Sequence, residues 1–321
     1  MDFYVQCVKY VSFSSGGTNG YLYVGALNAL KQYMGNRYQE WTSSLLGISG
    51  CSSGSLAALA LALNVNINKI DFGMDDMVSS ANFRDVTNTF GAINSNIIKQ
   101  IVSQILDLGG LSPSATLAHL HRLTGLECTF VCTSLTTRQR VYVNYKSHSD
   151  TTVMDAICAS CCIPGVFQPV IIAGEFMVDG NLLESIPARY PIMETLFIIV
   201  KGGEISNPFV LNTTSYITAL LEIVTRYADQ ITLIPTHRRI FLVNSSLPFN
   251  PLMSTQEKVE IRHSGYTQTM GQLLFGTHVT IPRLLTTCVF IYYNTIIFND
   301  PNDEEIPSVK GVFPSGEYAG T

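Results

Sequence analysis

Apolar and polar positions change in short blocks over the first sixty residues, and these blocks predict two strand–helix units. Cys7–Phe13 alternates and then ends in serines and glycines, as a strand does on entering a loop. Residues 20–34 follow with the apolar spacing of a helix. Leu45–Ser49 predicts a short buried strand, and Ser53–Leu63, rich in Ala and Leu, predicts a second helix. The order β-α-β-α favours a parallel sheet covered by helices.

Further along the chain the alternation of helices and strands continues. Residues 70–108 have an irregular apolar pattern that predicts mostly helix, and Ser112-Pro113 is typical of a helix start, here of a helix through Leu123. The remaining predicted elements are a strand pair at Glu127–Leu135 and Arg140–Tyr145, a helix at Val153–Cys161, strands at Glu194–Val200 and Arg239–Val243, a helix between them at Tyr216–Tyr227, and closing helices at residues 255–276 and 282–297.

Composition narrows the classes of function. The chain is 46% hydrophobic and only 13% charged, which indicates an extensive core, exposed apolar surface, or both. Its formal net charge of −5 provides no basic surface and disfavours a nucleic-acid partner. The first residues lack the pattern of a secretory signal, so we expect a cytoplasmic location, with peripheral membrane contact left open.

Two stretches without charged residues are candidates for a membrane span and are considered separately. Trp41–Asn68 is interrupted by glycines and serines, and Leu284–Phe298 is shorter than the ~20 residues of a membrane span. We expect both to belong to the core. Most of the eight cysteines lie in apolar patterns and are expected to be buried, reduced thiols. The group Cys158, Cys161 and Cys162 lacks the spacing of a zinc site, so no metal is predicted.

Three segments carry candidate chemistry. Ser14–Gly20 joins the first strand to the first helix, where exposed N–H groups of glycines would hold a phosphate or an oxyanion. Gly50–Gly54 has the pattern G-x-S-x-G at a strand-to-helix turn, the setting of a nucleophilic serine, here Ser52. Asp179 begins an Asp-Gly turn at a predicted strand end, and it would accept the Ser52 proton if burial tuned its pKa.

In this order and spacing, the glycine loop, the G-x-S-x-G turn and the Asp-Gly turn resemble the patatin-like phospholipase family. Gly110–Ser112 and Ala159–Phe167 are also typical of that family, and the overall character is similar to patatin-like proteins of large DNA viruses. The resemblance spans about residues 7–200, with a less recognisable part over residues 201–321. It implies a three-layer α/β/α fold, with a mainly parallel central sheet and helices on both faces. Without an internal repeat or linker, we expect one domain over residues 1–321.

The resemblance also implies an activity and roles for named residues. It implies a lipid acyl hydrolase, either a phospholipase A-type enzyme or a non-specific lipid esterase, that acts on a lipid or phospholipid without a cofactor. Ser52 would be the nucleophile and Asp179 the base of a Ser–Asp dyad that works through an acyl-serine intermediate. The remaining matched positions are Gly16, Gly17 and Thr18 as the oxyanion hole, and Gly20, Gly50, Gly54 and Gly180 as residues that support the motifs.

Three positions depart from the family's pattern. Ser15 replaces the first glycine that is usual in the loop, and Asn181 stands where Gly or Ala is common. Asn19 stands where the family commonly has Arg or Lys. Without that cation the resemblance gives no basis for a preference for anionic headgroups, whereas a neutral ester does not need it.

Other interpretations remain open at this point. A Ser-Asp-His triad would use His237, His263 or His278, but an α/β-hydrolase places several strands ahead of its nucleophile and this chain places one. A catalytically impaired descendant would bind lipid or serve a structural role, and an acyltransferase would share the acyl-serine. Methionines and phenylalanines in residues 70–108 would line an acyl-chain channel or contact a lipid surface. The oligomeric state is left open.

Overall fold

The computed structural model describes residues 7–71, 90–93, 95–202, 234, 239–244 and 253–275. All of these residues belong to one compact unit. Residues 281–321 lie outside the described part of the chain, so one domain over the whole chain stays a prediction. The strands are β1 Tyr10–Phe13, β2 Gly47–Cys51, β3 Gly91–Ile93, β4 Glu127–Ser134, β5 Gln139–Val143, β6 Gly165–Phe167, β7 Val170–Ile172, β8 Glu175–Asp179, β9 Thr195–Gly202 and β10 Arg239–Asn244.

Helices alternate with these strands. The α-helices are α1 Tyr21–Met34, α2 Arg37–Ser44, α3 Ser53–Ala62, α4 Asn96–Leu108, α5 Leu117–Thr124, α6 Val153–Ser160 and α7 Thr255–Phe275. Short 3₁₀ turns lie at Gly17–Gly20, Ile67–Lys69, Gly180–Leu182 and Ile192–Glu194.

The central sheet has the strand order β10-β9-β1-β2-β4-β8-β7, and β5 also pairs with β4. The pairs from β10 to β4 are parallel, whereas β4 pairs with β5 and β8 in antiparallel register. The carboxyl ends of the parallel strands therefore share one edge, and the loops after β1 and β2 meet there. This edge positions the candidate site. Strands β3 and β6 pair separately.

The two faces of β9 pack into two different clusters, as alternation along a strand requires. Leu196 and Ile198 belong to the main hydrophobic core, together with apolar side chains of α1, α3, α4 and α6. Phe197 and Ile199 pack in a second cluster with Ile186. The sheet is therefore covered on both faces, and the α/β class with a mostly parallel central sheet is confirmed.

Most of the predicted elements are confirmed, with ends shifted by a few residues. One prediction is wrong, and one short strand was not predicted. The helix predicted to start at Ser112-Pro113 begins at Leu117, because the Thr116 side chain, not Ser112, caps it by accepting from His119 N–H. In the span 70–108, predicted as mostly helix, α4 agrees with the prediction and residues 72–89 and 94 lie outside the described part. Strand β3 was not predicted there; its Gly91 lies so close to β6 that a Cβ would come within 2.3 Å of the Phe167 backbone.

Several predictions fall outside the described residues, among them the helices at Tyr216–Tyr227 and 282–297, the stretch Leu284–Phe298 and most of the methionines and phenylalanines of residues 70–108. Within the described ranges, no helix is long and apolar enough to cross a membrane. Six cysteines are buried there, as predicted: Cys51, Cys128, Cys132, Cys158, Cys161 and Cys162. The same ranges contain no group of three or more His, Cys, Asp or Glu residues that could hold a metal ion.

Candidate active site

Ser52 occupies a strained turn between β2 and α3. Its φ of 53° and ψ of −131° lie in a region that side-chain-bearing residues rarely adopt. Such a conformation costs of order 1–3 kcal/mol and persists only where the surroundings enforce it. This sharp turn also holds the Ser52 side chain clear of β2 and α3, which is the geometry of a nucleophile elbow.

Two glycines make this turn possible by allowing backbone to approach backbone. A Cβ on Gly50 would lie 2.4 Å from the carbonyl oxygen of Gly54, inside the turn itself. A Cβ on Gly54 would lie 2.2 Å from the carbonyl oxygen of Ser14, in the loop after β1. Gly54 therefore sets the close approach of α3 to the glycine loop.

A buried serine outside the motifs holds the elbow from behind. The Ser52 N–H donates to Ser160 Oγ at 3.1 Å, and Ser160 donates to the Val131 carbonyl at 2.7 Å. Ser55 Oγ lies 2.8 Å from the same hydroxyl. Ser160 thus connects α6, β4 and α3 at the strained turn. No role is predicted for Ser160 from the sequence, although it lies in the family-typical stretch Ala159–Phe167.

Strand β4 places the carboxylate beside the serine. Its residue Val131 pairs with Cys51 of β2, and its next residue, Cys132, pairs with Asp179 of β8. At both positions β5 pairs with the opposite edge of β4. Strand β8 therefore pairs with the same edge of β4 as β2 does, beginning one residue beyond the end of β2. Asp179 therefore lies next to the elbow in space, just beyond the end of β2. Gly180 lets the chain turn there, because a Cβ would lie 2.4 Å from the Val131 carbonyl oxygen.

The Asp179 carboxylate is buried and hydrogen-bonded. Burial raises its pKa from 3.8 to about 6, and hydrogen bonds from the Asn181 N–H, the Ser52 hydroxyl and the Cys51 thiol oppose this rise. The Asn181 N–H lies 2.8 Å from Oδ1 and the Cys51 Sγ lies 3.9 Å from it. Asp179 is therefore charged at neutral pH but a much better proton acceptor than an exposed aspartate.

Thiols surround this carboxylate. Burial, and secondly the charge of Asp179, raise the pKa of Cys51, Cys132, Cys161 and Cys162. The thiols consequently stay protonated and offer only weak S–H dipoles. An apolar shell of this kind keeps the carboxylate desolvated without adding a second charge.

The glycine loop lies against the same elbow. Gly17 has a φ of +53°, and the turn Gly17–Gly20 leads into α1. Gly16 is so close to α3 that a Cβ would lie 2.9 Å from Ser53 Oγ. In the described part of the chain, neither the Gly16 nor the Gly17 N–H has an acceptor. Both groups are therefore suited to hold an anion.

The structure also describes Thr18, Asn19 and Gly20, the other predicted residues of this loop. Thr18 and Asn19 are buried within the turn, and Gly20 ends it with ordinary helical backbone angles, φ −51° and ψ −26°. Position 19, where the family commonly has Arg or Lys, carries the neutral and buried side chain of Asn19.

Histidines are not part of this arrangement as described. His237 and His278 lie outside the described residues. His263 lies in α7, where burial lowers its pKa, and no described histidine contributes to the pKa of Asp179. Among the described residues, Asp179 is a carboxylate whose pKa the Ser52 side chain affects.

Comparison with known proteins found a viral relative and solved structures of similar fold. The chain is 25% identical over 191 residues to "Probable lipid hydrolase 463L" of Invertebrate iridescent virus 6, an alignment of 56% of this chain and 61% of that protein. The crystal structure of VipD from Legionella pneumophila matches with a TM-score of 0.52 at 17% identity, over 83% of this chain and 66% of that chain, which shows the fold alone. ExoU, in complex with SpcU, from the type III secretion system of Pseudomonas aeruginosa matches at 16% identity, over 85% of this chain and 53% of that chain, with a TM-score of 0.41, too low to carry an argument.

The chain thus spans less than two thirds of the length of the curated viral relative. The sequence profile of the family described as patatin-like phospholipase matches residues 11–192, which include the glycine loop, the elbow and Asp179. Because this match covers more than half of the sequence, the chain belongs to the patatin-like phospholipase family.

Proposed function

We propose that the chain is a lipid acyl hydrolase in which Ser52 is the nucleophile and Asp179 the general base. The observation that carries this proposal is the position of Ser52, at a strained elbow, beside the buried Asp179 carboxylate, whose pKa the Ser52 side chain lowers. A serine hydroxyl becomes a useful nucleophile only when a base accepts its proton. A carboxyl with a pKa of about 6 is well matched to that task near neutral pH.

The reaction proceeds in two halves. Asp179 accepts the Ser52 proton as Oγ attacks the ester carbonyl, and the Gly16, Gly17 and Thr18 amides stabilise the oxyanion. The alcohol leaves with the proton from Asp179, and the acyl group remains on Ser52. Water then gives a proton to Asp179 as its oxygen attacks the acyl-serine carbonyl. The bond to Ser52 Oγ breaks, Oγ takes the proton back from Asp179, and the fatty acid is released.

The substrate class we propose is a lipid or phospholipid ester. Family membership supports it, as does the name of the viral relative, a probable lipid hydrolase. The loop carries the neutral Asn19 where the family commonly has a cation. We therefore expect neutral acyl esters to be hydrolysed at least as well as lipids with anionic headgroups.

Ester hydrolysis across a graded series of acyl chain lengths tests the proposal. The enzymes are wild type, Ser52→Ala, Asp179→Asn and the matched controls Ser112→Ala and Asp150→Asn, both exposed. We expect each dyad variant to lower kcat by at least about 10³-fold and the controls to keep wild-type rates. Equal rates in all five proteins would contradict the proposal.

The same assay separates the other interpretations. An impaired, lipid-binding protein predicts no turnover in wild type. An acyltransferase predicts that an added alcohol or lysolipid diverts the product from free fatty acid to a new ester, which product analysis with and without the acceptor measures.

A further inference from the structure

Two departures from the family's pattern contact each other in the structure. Ser15, in place of a glycine, donates from Oγ to Oδ1 of Asn181, in place of Gly or Ala, at 2.9 Å. Ser185 Oγ lies 2.8 Å from Ser15 Oγ and donates to it, since the Ser15 proton is already used. The backbone adds a bond between the same segments, from Ser15 N–H to the Ser185 carbonyl at 2.8 Å.

This contact joins the two halves of the candidate site. Ser15 directly precedes Gly16 of the glycine loop. Asn181 donates its own backbone N–H to Asp179 Oδ1 at 2.8 Å. One residue, Asn181, therefore touches the carboxylate with its backbone and the glycine loop with its side chain. The side chains of Ser15, Asn181 and Ser185 are partly buried, which limits competition from water for the hydrogen bonds between them.

We propose that Ser15, Asn181 and Ser185 form a loop–turn clamp of positioning residues, which fixes the glycine loop relative to Asp179 before substrate binds. The inference rests on the proposed function, because it assigns the clamp to the same reaction. A glycine-rich loop has more conformational freedom than any other backbone. Hydrogen bonds that hold the loop donors in place reduce the reorganisation needed in the transition state.

Removal of the clamp side chains leaves its backbone bonds intact. Ser15→Gly keeps the bond from its N–H to Ser185, and Asn181→Gly keeps the bond from its N–H to Asp179. These two changes, and the double variant, also restore the glycines that are usual in the family. The experiment measures kcat and KM for ester hydrolysis and the rate of Ser52 labelling by a fluorophosphonate in all four proteins. The exposed pair Ser112 and Ser114, 2.9 Å apart, gives the control set Ser112→Gly, Ser114→Gly and their double.

A clamp predicts coupling between the two side chains. We expect each single variant to lower kcat and the labelling rate about tenfold, with KM within about twofold of wild type, and the double variant to lose about tenfold rather than about a hundredfold. Ser15→Thr, which keeps a hydroxyl, is expected to retain most of the rate. The control set is expected to keep wild-type rates.

The two assays distinguish failure of the inference from failure of the proposed function. If wild type hydrolyses esters but the single effects multiply in the double variant, or no variant loses rate, the clamp is overturned and the hydrolase is not. If wild type labels with coupled losses but hydrolyses no lipid ester, the clamp stands and the lipid assignment fails. If wild type neither labels nor hydrolyses, both are overturned.

Discussion

The Ser160 hydroxyl accepts a hydrogen bond from the backbone N–H of Ser52 at 3.1 Å. This bond links the end of α6 to the one strained residue of the elbow, although the two residues lie 108 positions apart. A buried N–H without a partner costs about 1–3 kcal/mol, so Ser160 removes a penalty that the elbow would otherwise carry. The geometry of the elbow therefore depends on a residue outside the three candidate motifs.

Ser160→Ala tests this dependence. The change leaves the Ser52 N–H and the Val131 carbonyl without their partner, and we expect it to lower the free energy of unfolding by about 1–3 kcal/mol. We also expect a fall in kcat of about tenfold at nearly constant KM, because the hydroxyl is displaced rather than removed. Denaturant unfolding and steady-state kinetics measure the two effects. A variant with wild-type kcat would show that Ser160 serves stability alone.

Backbone strain at Ser52 predicts a difference between two inactive variants. Glycine adopts a φ of 53° without penalty, whereas alanine keeps the strain. We expect Ser52→Gly to be more stable than Ser52→Ala by about 1 kcal/mol, after the greater freedom of the unfolded glycine is subtracted. Urea unfolding of both variants under one condition measures this. Greater stability of the alanine variant would contradict the strain.

Gly54→Ala tests the close approach of α3 to the glycine loop. A Cβ there meets the Ser14 carbonyl at 2.2 Å, so the helix or the loop has to move. We expect a loss of about 3 kcal/mol in stability and loss of ester hydrolysis. Gly174→Ala is the control, since its φ of +83° is strained for alanine but its Cβ meets nothing within 4 Å. The control is expected to lose about 1 kcal/mol and to keep its activity.

The raised pKa of Asp179 predicts how stability changes with pH. The folded protein binds this proton more tightly than the unfolded chain, so the corresponding stability is present below pH 4 and is lost as the pH rises through about 6. Relative to Asp179→Asn, we expect wild type to lose about 2 kcal/mol between pH 4 and pH 7.5. Urea unfolding across this range measures the difference, in which all other groups cancel. Parallel curves would contradict a buried, desolvated carboxyl.

The same pKa predicts the pH dependence of the reaction. Asp179 acts as a base only when it is deprotonated, so kcat/KM is expected to fall on the acid side with a midpoint near pH 6. Initial rates between pH 4.5 and 8 with a neutral ester measure this limb. A midpoint near 4, typical of an exposed aspartate, would indicate a different base.

The local sequence predicted the parts of the site that depend on local chemistry. The glycines of the G-x-S-x-G turn and the Asp-Gly turn appear where backbone must approach backbone, and this need is visible in residue type. Ser160 was missed because a serine within the apolar run Val153–Cys161 carries no periodic signal, and only the fold brings it to Ser52. The direction of β8 was also not predicted. It runs antiparallel to β4 and reaches the elbow from beyond the end of β2.

The errors in the fold have similar causes. Ser112 and Pro113 have the residue types of a helix start, but the chain makes a turn there and Thr116 provides the cap. Strand β3 is three residues long and pairs with β6, more than seventy positions away, so no local pattern marks it. The contact of Ser15 with Asn181 is equally non-local, although both residues were recognised as departures from the family's pattern.

The most direct test of the central claim is to map the adduct of a fluorophosphonate by mass spectrometry of the digested protein, in wild type, Ser52→Ala and Asp179→Asn. The account predicts one modified peptide in wild type, with the adduct on Ser52, none in Ser52→Ala, and labelling slowed by at least about a hundredfold in Asp179→Asn. An adduct on another residue, or labelling of Ser52 at an unchanged rate without the Asp179 carboxylate, would contradict the account.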